Sequence, residues 1–315
     1  MLILGEVHTG LLRNSTAVSH TVSARLLAFV LGEQVIQAQR PLPSAVSPTQ
    51  LTGVDCNLVG RSGAAIRAVG PGESRAVLTG GRILPGSAWL RVERAEHGRR
   101  LPWAHYLARP GRVETMSRHA TEDLGDGFLR GRTASALDLA AICRRSMEKA
   151  QEAKQLDSTA PFKVPQTRVR WFATSQEDDK PAVVAFGVED EAVRTVRLRL
   201  HPDALADAVD LGESLALHDW LLSAQQHLIE RGVAGGPAAG GTVTQLASAV
   251  ELLHLWMPAA RMRPSWSKLW EALDREAGLT LQWTTSMHRI RDALNLALLE
   301  RPPSVVGTSR SAGSR

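Results

Sequence analysis

Two short stretches of this chain carry arginines in strand-like alternation, a pattern able to hold nucleic acid. In 167–174, Arg168, Arg170 and Phe172 alternate against Val169, Trp171 and Ala173. In 193–200, Thr195, Arg197 and Arg199 alternate against Val196, Leu198 and Leu200. Successive strand side chains point to opposite faces, so Arg168, Arg170, Phe172, Arg197 and Arg199 would share one sheet face. There the guanidinium groups could pair with phosphates and Phe172 could stack a base. The plainer alternative, a solvated or helix-covered face, is the favoured one.

Other chemistries lack their spacing. Neither G-x-x-x-x-G-K-[ST] nor G-x-G-x-x-G occurs, so no phosphate loop is expected, and Gly70-Pro71-Gly72 reads as a turn. Gly60-Arg61-Ser62-Gly63 does not have the spacing of a nucleophile elbow. Ten histidines are present without an H-E-x-x-H helix. His218-Asp219 has the residue types of paired metal ligands, but consecutive helical side chains diverge and no further ligand is spaced around them. Cys143 lies beside Arg144 and Arg145, which could lower a thiol pKa, yet no partner base is evident and core packing is favoured. Cys56 and Cys143 cannot form a disulfide framework or a four-ligand zinc site. No catalytic residue, metal site or cofactor is therefore expected. An enzyme would need a site assembled from scattered residues such as His105, His201 and His218.

The elements that would position these residues are legible in outline. Residues 2–8 read as a strand, and Ser19 or Thr16 could cap a helix running to Val30. Glycines punctuate 51–94, leaving short segments at 64–69, 75–79 and 88–92 that suggest a meander, small barrel or solenoid-like stack. Pro102-Trp103-Ala104-His105-Tyr106 reads as an ordered loop or short helix, and Glu122–Gly127 as a surface turn. Ser135 precedes an amphipathic helix to Leu156 with apolar positions Leu139, Ile142, Cys143, Ala150 and Ala153. Strands follow at 167–174, 181–188 and 193–200, joined by short acidic connections, so sequential antiparallel pairing is the economical arrangement. The middle one, apolar on both faces, should be central and most buried. Helices are predicted at 203–209, 214–231, 242–257, 265–277 and 281–300, with a flexible loop at Gly232–Gly241.

This yields an α+β protein: a β-rich domain over 1–134, an amphipathic connecting helix over 135–160, antiparallel strands followed by a helical bundle over 161–300, and a disordered tail over 301–315. Residues 1–134 hold sixteen arginines against ten acidic residues, whereas 201–300 hold seven basic against twelve acidic. Such asymmetry between halves speaks to partners. Only five lysines accompany thirty-two arginines, a bias that fits a GC-rich coding sequence better than selection for phosphate contacts. The apolar start meets Glu6 at once and no run reaches the roughly 18 apolar residues of a bilayer span. A cytoplasmic location without membrane contact is expected.

Two features of the helical region bear on partners. Trp256, Trp266, Trp270 and Trp283 cluster with leucines, which favours a buried aromatic core, the alternative being a partner-binding groove. Trp266–Ile290 places two helices around Gly278 as in a helix-turn-helix near 265–290. Asp274, however, occupies a position where close helix contact wants a small residue, and the acidic balance opposes counterion release.

Taken together, MLILGEVHTGLL at the start, LTGVDCNLVGRSG, LPWAHYLARPGRVET and WSKLWEALDREAGLTLQWTTSMHRIRDAL resemble an uncharacterised protein family of high-GC actinomycete bacteria. The resemblance runs across most of residues 1–300. Members are encoded near a variant P-loop protein, which implies a component of a multi-protein system served by a partner NTPase rather than containing one. No functional residue carries over. The expectation is a non-enzymatic bacterial interaction or assembly component, with nucleic-acid binding through the arginine face as the alternative.

Overall fold

Leu2, Ile3, Leu4 and Val7 make the first strand apolar on both faces, and such a strand is stable only when both faces are covered. The computed structural model describes residues 1–30, 32–39, 42–96, 98–131, 137–176, 182–234, 241–258 and 266–299. In chain order the elements are β1 (Leu2–Leu11), α1 (His20–Leu27), β2 (Ile36–Ala38), β3 (Ser44–Val46), β4 (Gln50–Val59), β5 (Ala65–Thr79), β6 (Ile83–Arg94), α2 (Trp103–Leu107), β7 (Arg112–Thr115), α3 (Thr121–Arg130), α4 (Leu139–Gln151), β8 (Thr167–Ser175), β9 (Ala182–Val188) and β10 (Val193–Leu200). A 3₁₀ turn at Pro202–Asp207 then leads into α5 (Ala208–Ala234), α6 (Gly241–Leu252), α7 (Ser267–Ala277) and α8 (Leu279–Leu299).

The protein is mixed α+β, with ten strands in one mixed sheet among the described residues. β1 pairs antiparallel with β6 along one edge and with β8 along the other. The first strand therefore joins the strands of 1–134 to those of 161–200 without a break in the sheet. Its odd residues, Ile3 and Val7, face a core shared with Trp171, Val196, Leu198, α5 and α7. Its even residues, Leu2 and Leu4, face a second core closed by Leu124 and Leu129 of α3 and Leu139, Ile142 and Cys143 of α4. Helices thus cover both faces.

Three local expectations are corrected. The strands of 167–200 are not sequentially antiparallel: β10 lies between β8 and β9, parallel to β8 and antiparallel to β9. Among the described residues β9 is an edge strand, with Val188 exposed and Phe186 packed against the core shared with α5 and α7, so its apolar run does not mark a central strand. A hairpin explains the order: Asp190 Oδ1 accepts from the N–H groups of Ala192 and Val193 and folds β10 back along β9. Gly70-Pro71-Gly72 is not a turn but the middle of β5. It marks the hand-over at which β5 leaves β7 for β6, and a Cβ on Gly70 would lie 2.2 Å from the Arg112 carbonyl oxygen. Residues 122–127 are helical, not a surface turn; Gly125 lets α3 sit on Phe172 and Gly127 lets it sit against the Val59 carbonyl.

Other boundaries agree closely. Ser19 caps α1 through Val22 N–H, while α4 is capped by Asp138; Ser135 lies outside the described residues, as do 235–240 and the tail 301–315.

The two charge-biased halves meet inside the molecule. Arg75 of β5 contacts Asp210 at 2.5 Å and Glu213 at 2.7 Å, both on α5, and Arg82 contacts Glu251 of α6 at 3.0 Å. Burial works against the Arg75 charge, but Glu213 and Asp210 outweigh it and hold the guanidinium firmly protonated.

Trp171 shows how tightly the α5 face is closed. A Cβ on Gly5, its cross-strand neighbour, would lie 2.2 Å from the indole, and one on Gly212 of α5 would lie 2.5 Å from Nε1. Gly5→Ala and Gly212→Ala should each lower unfolding free energy by about 1–3 kcal/mol, the usual cost of overpacking a filled core. Urea denaturation measures this. Gly72→Ala, whose Cβ would meet nothing closer than 3.6 Å, should cost clearly less.

Candidate functional site

The arginine face of β8 and β10 exists, and α3 lies across it. Register places Arg170 opposite Glu6 and Arg168 opposite His8 on β1, while on β10 Arg197 sits beside Phe172. Glu6 is 2% exposed. Its Oε1 lies 3.3 Å from Arg168 Nε and 3.4 Å from His8 Nε2, and its Oε2 lies 3.5 Å from Arg170 Nε. The two arginine contacts are Coulombic rather than well-directed hydrogen bonds, since neither arginine Nε finds an acceptor among the described residues, whereas His8 Nε2 and Glu6 Oε1 are hydrogen-bonded. One carboxylate is thereby shared by two guanidinium groups in a site from which water is largely removed.

The remaining arginines are engaged by α3. Arg170 Nη1 donates to the Leu129 carbonyl at 2.9 Å, placing a cation where the C-terminal end of the helix is negative. Gly131, with φ +61°, ends α3 and leaves the space that Arg170 occupies. Arg197 pairs with Asp126 at 2.5 Å and Arg199 with Glu122 at 3.2 Å. Arg197 also lies over the Phe172 ring, as Arg170 lies over Phe128. Phe172 is 1% exposed, beneath Gly125 of α3. It cannot receive a base in this arrangement, and all four arginines already face protein carboxylates. The face is thus helix-covered, the arrangement the sequence favours over an open nucleic-acid surface. Its cleft, about 260 Å³ between Glu6, Arg168, Arg170, Phe128 and Asp138, contains both charge signs.

The tryptophans also face inward. Trp266, Trp270 and Trp283 are buried, and Trp256 stacks on Trp283 with centroids 4.2 Å apart. His218 fits edge-on between Trp256 and Trp270, its Nδ1 donating to the Ser214 carbonyl at 2.6 Å. These residues fill the interior among α5, α7 and α8, so an open partner-binding groove is not what Trp256, Trp266, Trp270 and Trp283 form. Beside them, Asp219 accepts from Arg194 Nε at 2.9 Å; burial pushes its carboxyl up, against the pull of Arg194. His218 and Asp219 serve packing and a buried ion pair, not one metal centre.

Around Gly278, φ +65°, α7 and α8 do form two helices about a turn. Asp274, the residue that argued against a helix-turn-helix, accepts from Thr280 N–H at 2.7 Å and caps the start of α8.

His105 approaches a different carboxylate. Its Nε2 lies 2.8 Å from Glu114 Oε1, which also accepts from Arg109 at 3.1 Å, fastening α2 to β7. His201 caps the Pro202–Asp207 turn. His105, His201 and His218 therefore occupy three separate surroundings. Among the described residues no group of three or more His, Cys, Asp or Glu could hold a metal ion, and no helix is long and apolar enough to cross a membrane.

The thiols are correspondingly inert. Burial, with a smaller contribution from Asp55, pushes Cys56 up to about 11. Cys143 is raised well above the ordinary thiol range by burial and then by Glu6, and its Sγ donates to the Glu6 carbonyl; its arginine neighbours point away, exposed.

What sequence reasoning missed is the edge of the sheet. β4 pairs with β5 along its whole length, while on its other side no strand pairs among the described residues. Leu51 (47% exposed), Trp103 (36%) and Leu107 (57%) stand out at and near this edge, with Trp103 resting on Gly53. The signal was present in LTGVDCNLV, a long strand-forming run, but glycine punctuation masked it. Compared with family models, curated proteins and solved structures, the chain matches none.

Two outcomes follow from these burial and charge relations. Removing the shared carboxylate by Glu6→Ala should destabilise by about 3–5 kcal/mol, because Arg168 and Arg170 would be left without their counter-charge; chemical denaturation reads this directly. Cys56 should alkylate with a rate that climbs with pH towards a midpoint near 11, since only the thiolate reacts. Cys143 should stay unlabelled until the protein unfolds, as mass spectrometry of iodoacetamide-treated samples would show.

Proposed function

We propose that this protein is a non-enzymatic interaction or assembly component of a multi-protein bacterial system, working through what docks on it. The observation that carries this reading is the edge of β4 at residues 51–55, on which no strand pairs among the described residues, with Leu51 and Trp103 presented beside it. A long unpaired edge offers a row of main-chain donors and acceptors, which natural sheets normally shorten, cover or charge. Exposed apolar side chains grouped at such an edge are the usual mark of a partner surface. The arginine face and the tryptophan cluster, by contrast, are covered within the chain, so neither supports the nucleic-acid alternative. A partner NTPase and a cytoplasmic setting belong to this same reading, which rests on the family resemblance and on there being, among the described residues, no helix long and apolar enough to cross a membrane.

Affinity capture at low ionic strength from native cells should recover a stoichiometric protein partner. Recovery of none, or purified protein that turns over a small molecule and loses that turnover on changing one side chain, would overturn the proposal.

A further inference from the structure

Beneath α3 the chain brings two guanidinium groups to one carboxylate. Arg168 and Arg170 lie 3.3 Å and 3.5 Å from Glu6. The three form the floor of the cleft of about 260 Å³, which Leu58 of β4, Leu124 and Phe128 of α3, and Leu137 ahead of α4 also line. Among the described residues one further charged side chain lines it, Asp138. It is exposed, and its Oδ1 accepts from Ala141 N–H at 2.9 Å, so its charge is met by the positive start of α4. Asp126 and Glu122 of α3 answer Arg197 and Arg199 instead, and His8 adds no negative charge. The buried floor therefore holds two cations against one anion.

Hydrogen bonding shows the same shortfall. Arg170 is 8% exposed and gives Nη1 to the Leu129 carbonyl. Its Nε nevertheless has no acceptor among the described residues, and neither has that of Arg168. Buried polar groups in folded proteins are nearly always paired, and one left over marks a place where an ion, a water or a ligand belongs. Arg168 is the more open of the two, its side chain 29% exposed, and is the guanidinium that an incoming group meets first.

Charge, shape and walls narrow the ligand. One excess positive charge asks for one negative charge, and a phosphate dianion would overshoot a floor that already contains Glu6. A guanidinium presents a planar fork of donors that matches a carboxylate. The cleft is smaller than the roughly 300–1,000 Å³ of pockets that bury drug-sized ligands, a size that suits a single ring or a short aliphatic chain. Leu58, Leu124, Phe128 and Leu137 favour an apolar body.

We propose that this cleft binds one small apolar monocarboxylate, whose carboxylate completes the charge balance of Arg168 and Arg170 and whose body lies between α3 and the residues ahead of α4. No bond is made or broken, and the site stands apart from the docking of a protein partner.

The probe is benzoate, titrated into the full chain by isothermal calorimetry beside benzamide, its uncharged isostere, and inorganic phosphate. Benzoate should bind saturably, one per chain, and raise the temperature of unfolding as its concentration rises. Benzamide and phosphate should bind more weakly by about tenfold or more, the worth of one charge-assisted hydrogen bond. Arg168→Met leaves Glu6 and Arg170 as a balanced pair, so the variant should fold, and it should weaken benzoate binding by about tenfold or more. Leu137→Trp keeps every charge and narrows the cleft. It keeps the test decisive should the Arg168 variant not fold, and should weaken benzoate binding comparably. No saturable binding of benzoate, equal binding of benzamide, tighter binding of phosphate, or benzoate binding unchanged in either folded variant overturns the proposal.

Discussion

Glu6 is the charge on which the interior depends. It stands on the central strand, buried, and holds two arginines of β8 and a histidine of β1 within 3.5 Å. A buried carboxylate surrounded by cations fixes register more strictly than apolar contacts do, because a slip of one residue would move it to the apolar α5 face. The same slip would drive Gly5 out from under Trp171. Polar and steric constraints thus converge on one alignment of β1 with β8, and β8 in turn sets β10 and the place of α3.

The opposite charges of the two chain halves acquire a structural meaning from this alignment. Arg75 and Arg82 of the first half reach Asp210, Glu213 and Glu251 of the second, and Arg197 and Arg199 reach back to Asp126 and Glu122. Asymmetry that composition alone assigns to outside partners is met within the chain at Asp210, Glu213 and Glu251. A smaller and more local feature is left without a strand partner among the described residues, the β4 edge at residues 51–55.

Much of the fold was legible from residue patterns: β1, the capped α1, the amphipathic α4 and the late helices all lie close to where periodicity puts them. Pairing order was not, because period-two alternation reports which side chains share a face but not which strand lies next to which. β9 illustrates this, since Val183, Val184 and Phe186 read as a buried centre in a strand that proved to be an edge. Glycines misled in a related way: Gly70 and Gly72 marked close backbone approach inside a strand, and Gly125 and Gly127 close approach of a helix, whereas in sequence all four resemble turn residues. The arginine face was read correctly as a face, with a solvated or helix-covered one favoured; which element covers it was not legible, because Glu122 and Asp126 lie far away along the chain. The β4 edge escaped for the opposite reason: openness is a property of what fails to pack there, which no local pattern encodes.

The position of β1 has a consequence for biogenesis. Its first neighbour, β6, follows soon after it, but its second, β8, is synthesised only once α4 is complete. At roughly 5–20 residues per second, the nascent chain spends on the order of ten to thirty seconds with one flank of β1 unmatched. The order of translation is thereby part of how this sheet reaches completion.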